Sequence, residues 1–269
     1  MKKLSVLMVF VFSFFYHHRT LAQDFSIGAR AAGIGNAFVT LQDEWAVFGN
    51  AGGMAEVKSI TALFAYENRF GFTEGFQSVA AGVIVPTHFG NGSLSAYRFG
   101  DELFSKQKVA IGWAHQISGI SIGFKANYWQ HHVEGYGSRG NLVLDLGGVA
   151  AIIPKLAFGL HIANVNQAKI VEDERIPTVI QAGLAYTPVE QLMLVVETEK
   201  DVDFDAVFKL GMEYQIIEKI RLRTGISTKP MRTHYGMGFC LKKFTIDCAM
   251  ITHPHLGFSN QVSVAYRVK

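Results

Sequence analysis

From Ser59 to the C-terminus the chain alternates apolar and polar residues almost without a break, and this constrains the fold more than anything else in the sequence. Phe208, Leu210, Met212, Tyr214 and Ile216 are interleaved with Lys209, Gly211, Glu213 and Gln215. Ile220, Leu222, Thr224 and Ile226 alternate with Arg221, Arg223, Gly225 and Ser227, and Ile120 to Tyr128 follow the same rule. Successive side chains of a strand point to opposite faces, so each such segment has one apolar and one polar face. The pattern predicts strands near 59–70, 76–86, 93–100, 106–117, 120–131, 141–153, 156–164, 177–187, 191–201, 205–216, 219–228, 232–241, 244–252 and 259–268. Most reach the roughly 9–11 residues that a tilted strand needs to cross a bilayer.

The connections alternate too. Ser118-Gly119, Pro154-Lys155, Ile217-Glu218 and Lys242-Lys243 are tight, whereas His132 to Gly140 and Val165 to Ile176 are longer. A soluble sandwich has no reason to sort its loops by parity, but a membrane barrel puts short turns on one side and longer loops on the other. The chain is 49% hydrophobic, yet beyond its first residues no apolar run is long enough to span a bilayer as a helix. Hydrophobicity without helical spans leaves a soluble β-rich domain or a closed membrane barrel.

Two features favour the barrel in a membrane. Trp113, Tyr128, Tyr186, Tyr214, Tyr235 and Tyr266 fall on the apolar faces near strand ends, as interfacial aromatic girdles do. The polar faces are thin in charge and carry Gly112, Gly123, Gly147, Gly159, Gly183, Gly211, Gly225, Gly236 and Gly238. A solvated exterior would be rich in Lys and Glu; a glycine stripe reads as the wall of a narrow lumen that something else occupies. The expected fold is all-β: a single antiparallel transmembrane barrel of about 14 strands over 58–269, with a small helical or irregular hatch at 23–57.

Export is written at the N-terminus. Lys2 and Lys3, an apolar run from Leu4 to Tyr16, and Thr20-Leu21-Ala22 form a signal peptide over 1–22, cleaved before Gln23. The net charge of +3 resides in that leader, which holds Lys2, Lys3 and Arg19 and no acid, so the remainder is neutral. A neutral mature chain has no basic field to attract nucleic acid.

Residues 23–57 have a different texture, rich in Gly and Ala and without alternation. Gly28-Ala29-Arg30-Ala31-Ala32-Gly33-Ile34-Gly35-Asn36-Ala37-Phe38-Val39 is followed by Glu44-Trp45-Ala46-Val47-Phe48-Gly49-Asn50-Ala51-Gly52-Gly53-Met54. This block resembles the opening of the FadL-like outer-membrane proteins, especially the PorV/PorQ-like branch found in Bacteroidetes. The likeness continues loosely through Leu156-Ala157-Phe158-Gly159-Leu160, Ile176-Pro177-Thr178, Glu199-Lys200-Asp201 and His253-Pro254-His255-Leu256-Gly257. The resemblance implies an outer-membrane barrel with an N-terminal hatch marked by Gly28, Arg30, Gly33, Asn36, Asn50, Gly52 and Gly53, and the even strand count is expected to return both termini to the periplasm. One departure stands out. The family's Asn-Pro-Ala-Gly-Leu is Asn50-Ala51-Gly52-Gly53-Met54 here, and losing the proline is expected to loosen that turn. A phosphate-loop reading of Gly28, Gly33 and Gly35 fails, because no strand precedes them and no Gly-Lys-Ser/Thr follows.

Inward charges fall on neighbouring strands: Glu197 and Glu199, Lys209 and Glu213, Arg221 and Arg223, with Lys125 and Asp145 on an earlier pair. They are expected to form a lumen network that rigidifies the wall. His131-His132 and His253/His255 lack the partners of a tetrahedral metal set and read as strand-end and loop residues. Cys240 and Cys248 flank the Lys242-Lys243 turn; pairing Leu241 with Phe244 puts them on opposite faces, so no bridge is expected. No nucleophile, base and orienter group together, and no cofactor motif appears. The sequence thus points to a plugged channel for hydrophobic small molecules or an accessory of a type IX-like secretion translocon. A structural barrel in outer-membrane lipid and a soluble periplasmic barrel are the alternatives. The lumen face has few large apolar groups and the longest link is charged, which leans against a full transporter.

Overall fold

A computed structural model describes residues 27–71, 75–171 and 174–268; the expected leader lies outside the described residues. The barrel begins with β1 (Thr61–Asn68), β2 (Gln77–Thr87), β3 (Gly90–Gly100), β4 (Phe104–Ile117), β5 (Ile120–Val133), β6 (Gly137–Ile153) and β7 (Leu156–Ala163). A small hairpin of β8 (Lys169–Val171) and β9 (Glu174–Arg175) follows. The wall then resumes with β10 (Val179–Val189), β11 (Leu192–Asp201), β12 (Val207–Ile217), β13 (Ile220–Ser227), β14 (Arg232–Cys240), β15 (Phe244–His253) and β16 (Gly257–Arg267). Fourteen strands pair antiparallel with their neighbours, and β1 pairs with β16 from Thr61 opposite Arg267 to Asn68 opposite Asn260, closing the sheet. Closure removes the open edges that a sheet of this length would expose.

All fourteen strands expected from alternation are present. Two begin three or four residues earlier than alternation suggests, β3 at Gly90 and β6 at Gly137. Both added stretches, Gly90-Asn91-Gly92 and Gly137-Ser138-Arg139-Gly140, lack apolar side chains, so pairing extends past the end of the apolar pattern. The β8–β9 hairpin, inside the expected 165–176 loop, went unforeseen because its strands are too short to show a period. It is held by the buried Asn164, whose Nδ2 donates to Ile176 O at 2.7 Å and whose Oδ1 accepts from Ala168 N at 2.8 Å.

The tight turns lie at one end. At Ser118-Gly119 both residues have positive φ, 48° and 84°, the two-residue turn that matches the twist of a hairpin. The ends of β2, β6, β10, β12 and β14 turn back at this same end, and the start of β1 and end of β16 meet there.

Burial is inverted relative to a water-soluble barrel. On β12 the outward Phe208 is 56% exposed and the inward Lys209 only 2%. Lys125, His234, Gln261 and Glu197 rank among the large side chains that are fully buried, while Ile111, Phe124, Leu142 and Leu210 stand outside. A soluble barrel places its apolar face within and its charges in water. Here the exterior is the apolar one, flanked by Tyr186, Tyr214 and Tyr266 near the turn end and by Tyr128 and Tyr235 toward the loop end. That exterior suits hydrocarbon, where a closed sheet leaves no backbone group unpaired.

The β14–β15 register places Cys240 opposite Thr245 and Cys248 opposite Met237, with Phe239 opposite Ile246. The two cysteines therefore occupy opposite faces, and both are free. Denaturing the protein without reductant should let both thiols alkylate; a mass two protons lower that resists alkylation would show the register to be wrong.

Candidate functional site

The interior is occupied by residues 27–57, which follow the inner wall around the lumen. A short helix α1 (Ala29–Gly33) lies against β13 to β16: Ala29 N donates to Ser263 Oγ at 3.0 Å, and the His234 imidazole bonds Ala32 O at 2.7 Å. The chain then passes β12 and β13 at Ile34-Gly35, and β10 and β7 at Val39. Asn50 to Gly52 reach β5 and β6, and Met54 to Val57 are held by Asn91 of β3. Trp45 and Phe48 stack within a cluster that includes Leu63, Ala65 and Ala80 of β1 and β2. The segment is thus a nearly complete internal hoop.

Glycine makes this fit possible. Eight of the nine wall glycines expected to face inward are positions the hoop touches; at Gly238 the nearest atoms belong to Arg223 and Asp247 of the wall. A Cβ on Gly123 would stand 2.6 Å from Ala51 C, and one on Gly183 2.8 Å from Val39 Cγ1. On Gly211, Gly225 and Gly159 it would strike the backbone of Ile34, Gly35 and Val39. The contact is reciprocal, because a Cβ on Gly52 would lie 2.6 Å from Gly148 Cα and one on Gly33 3.0 Å from Gly236 Cα. Backbone packs on backbone, leaving no gap for a side chain.

Charge locks the hoop in register. Arg30 forks onto Glu213, with Nε to Oε2 at 2.9 Å and Nη2 to Oε1 at 2.7 Å, and its Nη1 meets Asp43 Oδ2 at 2.8 Å. Glu213 also receives Arg223 Nε at 2.6 Å, and Arg223 Nη1 reaches Asp247 Oδ1 at 2.6 Å. The result is an alternating row: Asp43, Arg30, Glu213, Arg223, Asp247. Burial opposes the charge on Arg30, but the Glu213 and Asp43 carboxylates outweigh it and hold its pKa well above the ordinary value. A second cluster centres on Lys209, whose Nζ lies 2.7 Å from Glu197, 2.6 Å from Glu199 and 3.0 Å from Asn36 O. Glu197 Oε2 in turn accepts Val39 N at 2.8 Å. In a third, Lys125 donates to Gly49 O and stands 3.7 Å from Asp145, which is also bonded by Asn127. Each cluster joins a wall charge to the hoop. Removing an ion from water costs several kcal/mol even after relaxation, so such pairs specify position more than they add stability.

The wall charges named from sequence are therefore brought together except Arg221, which makes no ion pair among the described residues. It lies two residues nearer the turn end than Arg223, opposite Gln215 and Gly238. Asp247 was missed, although it shares the inward parity of Thr245 and Ala249 on β15, and so was Asp43. Among the hatch residues, Gly28 packs on the Trp45 ring and Gly53 on Ala46. Asn50 corrects an expectation: the turn that lacks the family's proline is not loose. Asn50 is fully buried, its Nδ2 donating to Val39 O at 2.6 Å and Gly148 O at 3.0 Å. Its Oδ1 accepts Gly52 N at 3.1 Å, capping the 3-10 turn Ala51–Glu56. A cap of this kind supplies the constraint that a proline ring would otherwise give. His131 lies buried on β5, and the His253 ring accepts the backbone N–H groups of His255 and Leu256, shaping its own turn.

No protein-family model matches the sequence, and no curated protein matches it. Solved structures do. The P. putida toluene transporter TodX superposes with a TM-score of 0.71 at 10% identity, over 91% of this chain and 99% of that one. A Pseudomonas aeruginosa FadL homologue gives 0.64 at 10% identity, over 90% and 98%. What they share with this chain is the fold.

Replacing Arg30 with Met strands Asp43 and leaves Glu213 with Arg223 alone, and should lower the unfolding free energy by about 3–5 kcal/mol, read from urea titration of heat-modifiable mobility. Gly211→Val forces a side chain into Ile34. It should make residues 27–57 cleavable by protease while the barrel persists; an uncut hoop would show the contact to be slack.

Proposed function

We propose that this protein is an outer-membrane β-barrel, with its leader removed and its turn end and both termini periplasmic, serving as a plugged channel for small hydrophobic molecules. One observation carries the reading: a barrel with an apolar exterior whose buried lumen charges are bonded to its own N-terminal hoop. In an open water-filled pore the lumen charges would be solvated, whereas Lys125, Lys209, Glu197, Arg223 and Asp247 are each less than 5% exposed. Such a lumen is shut to ions, and passage requires the hoop to yield. The chain shares its fold with a toluene transporter over nearly the whole length of both, which supports an apolar cargo. A role as accessory to a type IX-like translocon rests on the opening motif, and no feature of the barrel favours it.

The test uses asymmetric vesicles whose outer leaflet is lipopolysaccharide, a barrier to apolar solutes. The full-length mature barrel should leave ion conductance at background while speeding entry of an uncharged aromatic fluorophore several-fold, with saturation. An unchanged entry rate would eliminate the channel and leave a structural barrel; steady ion conductance would eliminate the plug.

A further inference from the structure

The outer wall is not uniformly convex. Across β5, β6 and β7 it carries a groove of about 540 Å³, lined by apolar side chains and bare backbone. Its floor is β6, where the outward positions hold Gly148 and Ala150 in place of the bulky residues found elsewhere on this face. Its banks are Ile122 and Phe124 on β5, and Phe158 and Leu160 on β7, with Ile122 and Leu160 directly opposite Gly148. These four side chains are 38–46% exposed, so the groove opens outward and not into the lumen. On the inner side of the same wall, Asn50 and Gly52 fill the space against Gly147 and Gly148.

We infer that this groove holds one acyl chain of a phospholipid from the periplasmic leaflet. The inference rests on the membrane placement proposed above. Three observations select this occupant. First, the groove runs along β5 from Ile120, the residue after the Ser118-Gly119 turn, to Phe124. Four steps of ~3.3 Å give a length of roughly 13 Å, close to one leaflet of a ~30 Å hydrocarbon core. Second, a void against these side chains would forfeit their dispersion contacts, and hydrocarbon restores them. Apolar protein surfaces gain no hydrophobic attraction from one another within lipid, so a protein partner would have to be held by close packing into the groove or by polar contacts at its banks. The banks offer no polar group, and a flexible acyl chain packs into a narrow groove more closely than a second rigid wall could. Third, Lys155 stands exposed in the β6–β7 turn, at the same end of the wall. Its Nζ spends one donor on Pro188 O at 2.7 Å, and an ammonium has three. A phosphate at the interface is the complement of that charge.

The experiment is native mass spectrometry of the intact mature barrel in detergent, titrated with palmitoyl-oleoyl phosphatidylglycerol. Wild type should retain one tightly held lipid. Ala150→Trp fills the groove from the membrane side without touching the hoop, and should weaken that binding at least about tenfold. Val262→Trp, on the outer face of β16, should leave it unchanged, and Lys155→Gln should weaken it while a neutral diacylglycerol binds as before. Equal retention by wild type and Ala150→Trp would overturn the inference, as would a dimer that Ala150→Trp dissolves. Heat-modifiable mobility, recorded on each variant, separates lost binding from lost folding. A wild-type barrel that stays soluble without detergent would instead defeat the membrane reading itself.

Discussion

A charge row inside a closed wall is the constraint to which the other features answer. Arg223, Glu213 and Asp247 face inward and are buried, and an isolated buried ion costs several kcal/mol. They are tolerated because Arg30 and Asp43 arrive on the hoop with matching signs. The glycine stripe follows from the same need. For Arg30 to fork onto Glu213 at hydrogen-bond distance, the hoop must press against the wall, and Gly211, Gly225 and Gly236 are where it does. Sterics and electrostatics thus fix one placement together: glycines set the distance, and ion pairs set the register.

The inversion of burial follows in turn. With charges spent on the inside, the outer face is left to Phe, Leu, Ile and Tyr, and only hydrocarbon accommodates such a surface. Because the hoop supplies the inner partners, the wall needs neither large apolar side chains nor water to fill its lumen. The short loops agree with this economy, since a lumen already lined by the hoop needs no long external insertion to cover it.

Alternation made the barrel legible because a strand's period of two is local, and each of the fourteen strands carries it independently. β3 and β6 were shortened in the sequence reading because their extra residues, such as Gly137 to Gly140, pair through the backbone alone. The charge network was legible in part. Glu197, Lys209 and Arg223 declare themselves by parity, but parity tells which face a residue takes and not its height. Arg221 and Arg223 have equal parity, and only Arg223 reaches the level of the hoop. Asp43 was beyond reach, since it sits in a segment without periodic structure, and its partner is set by how that segment threads. The Asn50 turn misled for a related reason: a missing proline is visible in sequence, whereas a side-chain cap becomes visible only when its acceptors are placed.

The hoop begins beside the last strands and ends beside the first. α1 touches β14, β15 and β16 and Met54 and Val57 are tied to β3, while between them Trp45 packs with Leu63 and Ala65 of β1 and Ala265 of β16, behind the junction of those two strands. Arg267 to Glu44, at 2.9 Å, fastens that junction from within. A cylinder of paired strands fails most readily where its first and last members meet, as a barrel of staves does at a loose joint. Here the strap lies on the inside, so tension around the circumference must strip the strap from the staves before the joint can part.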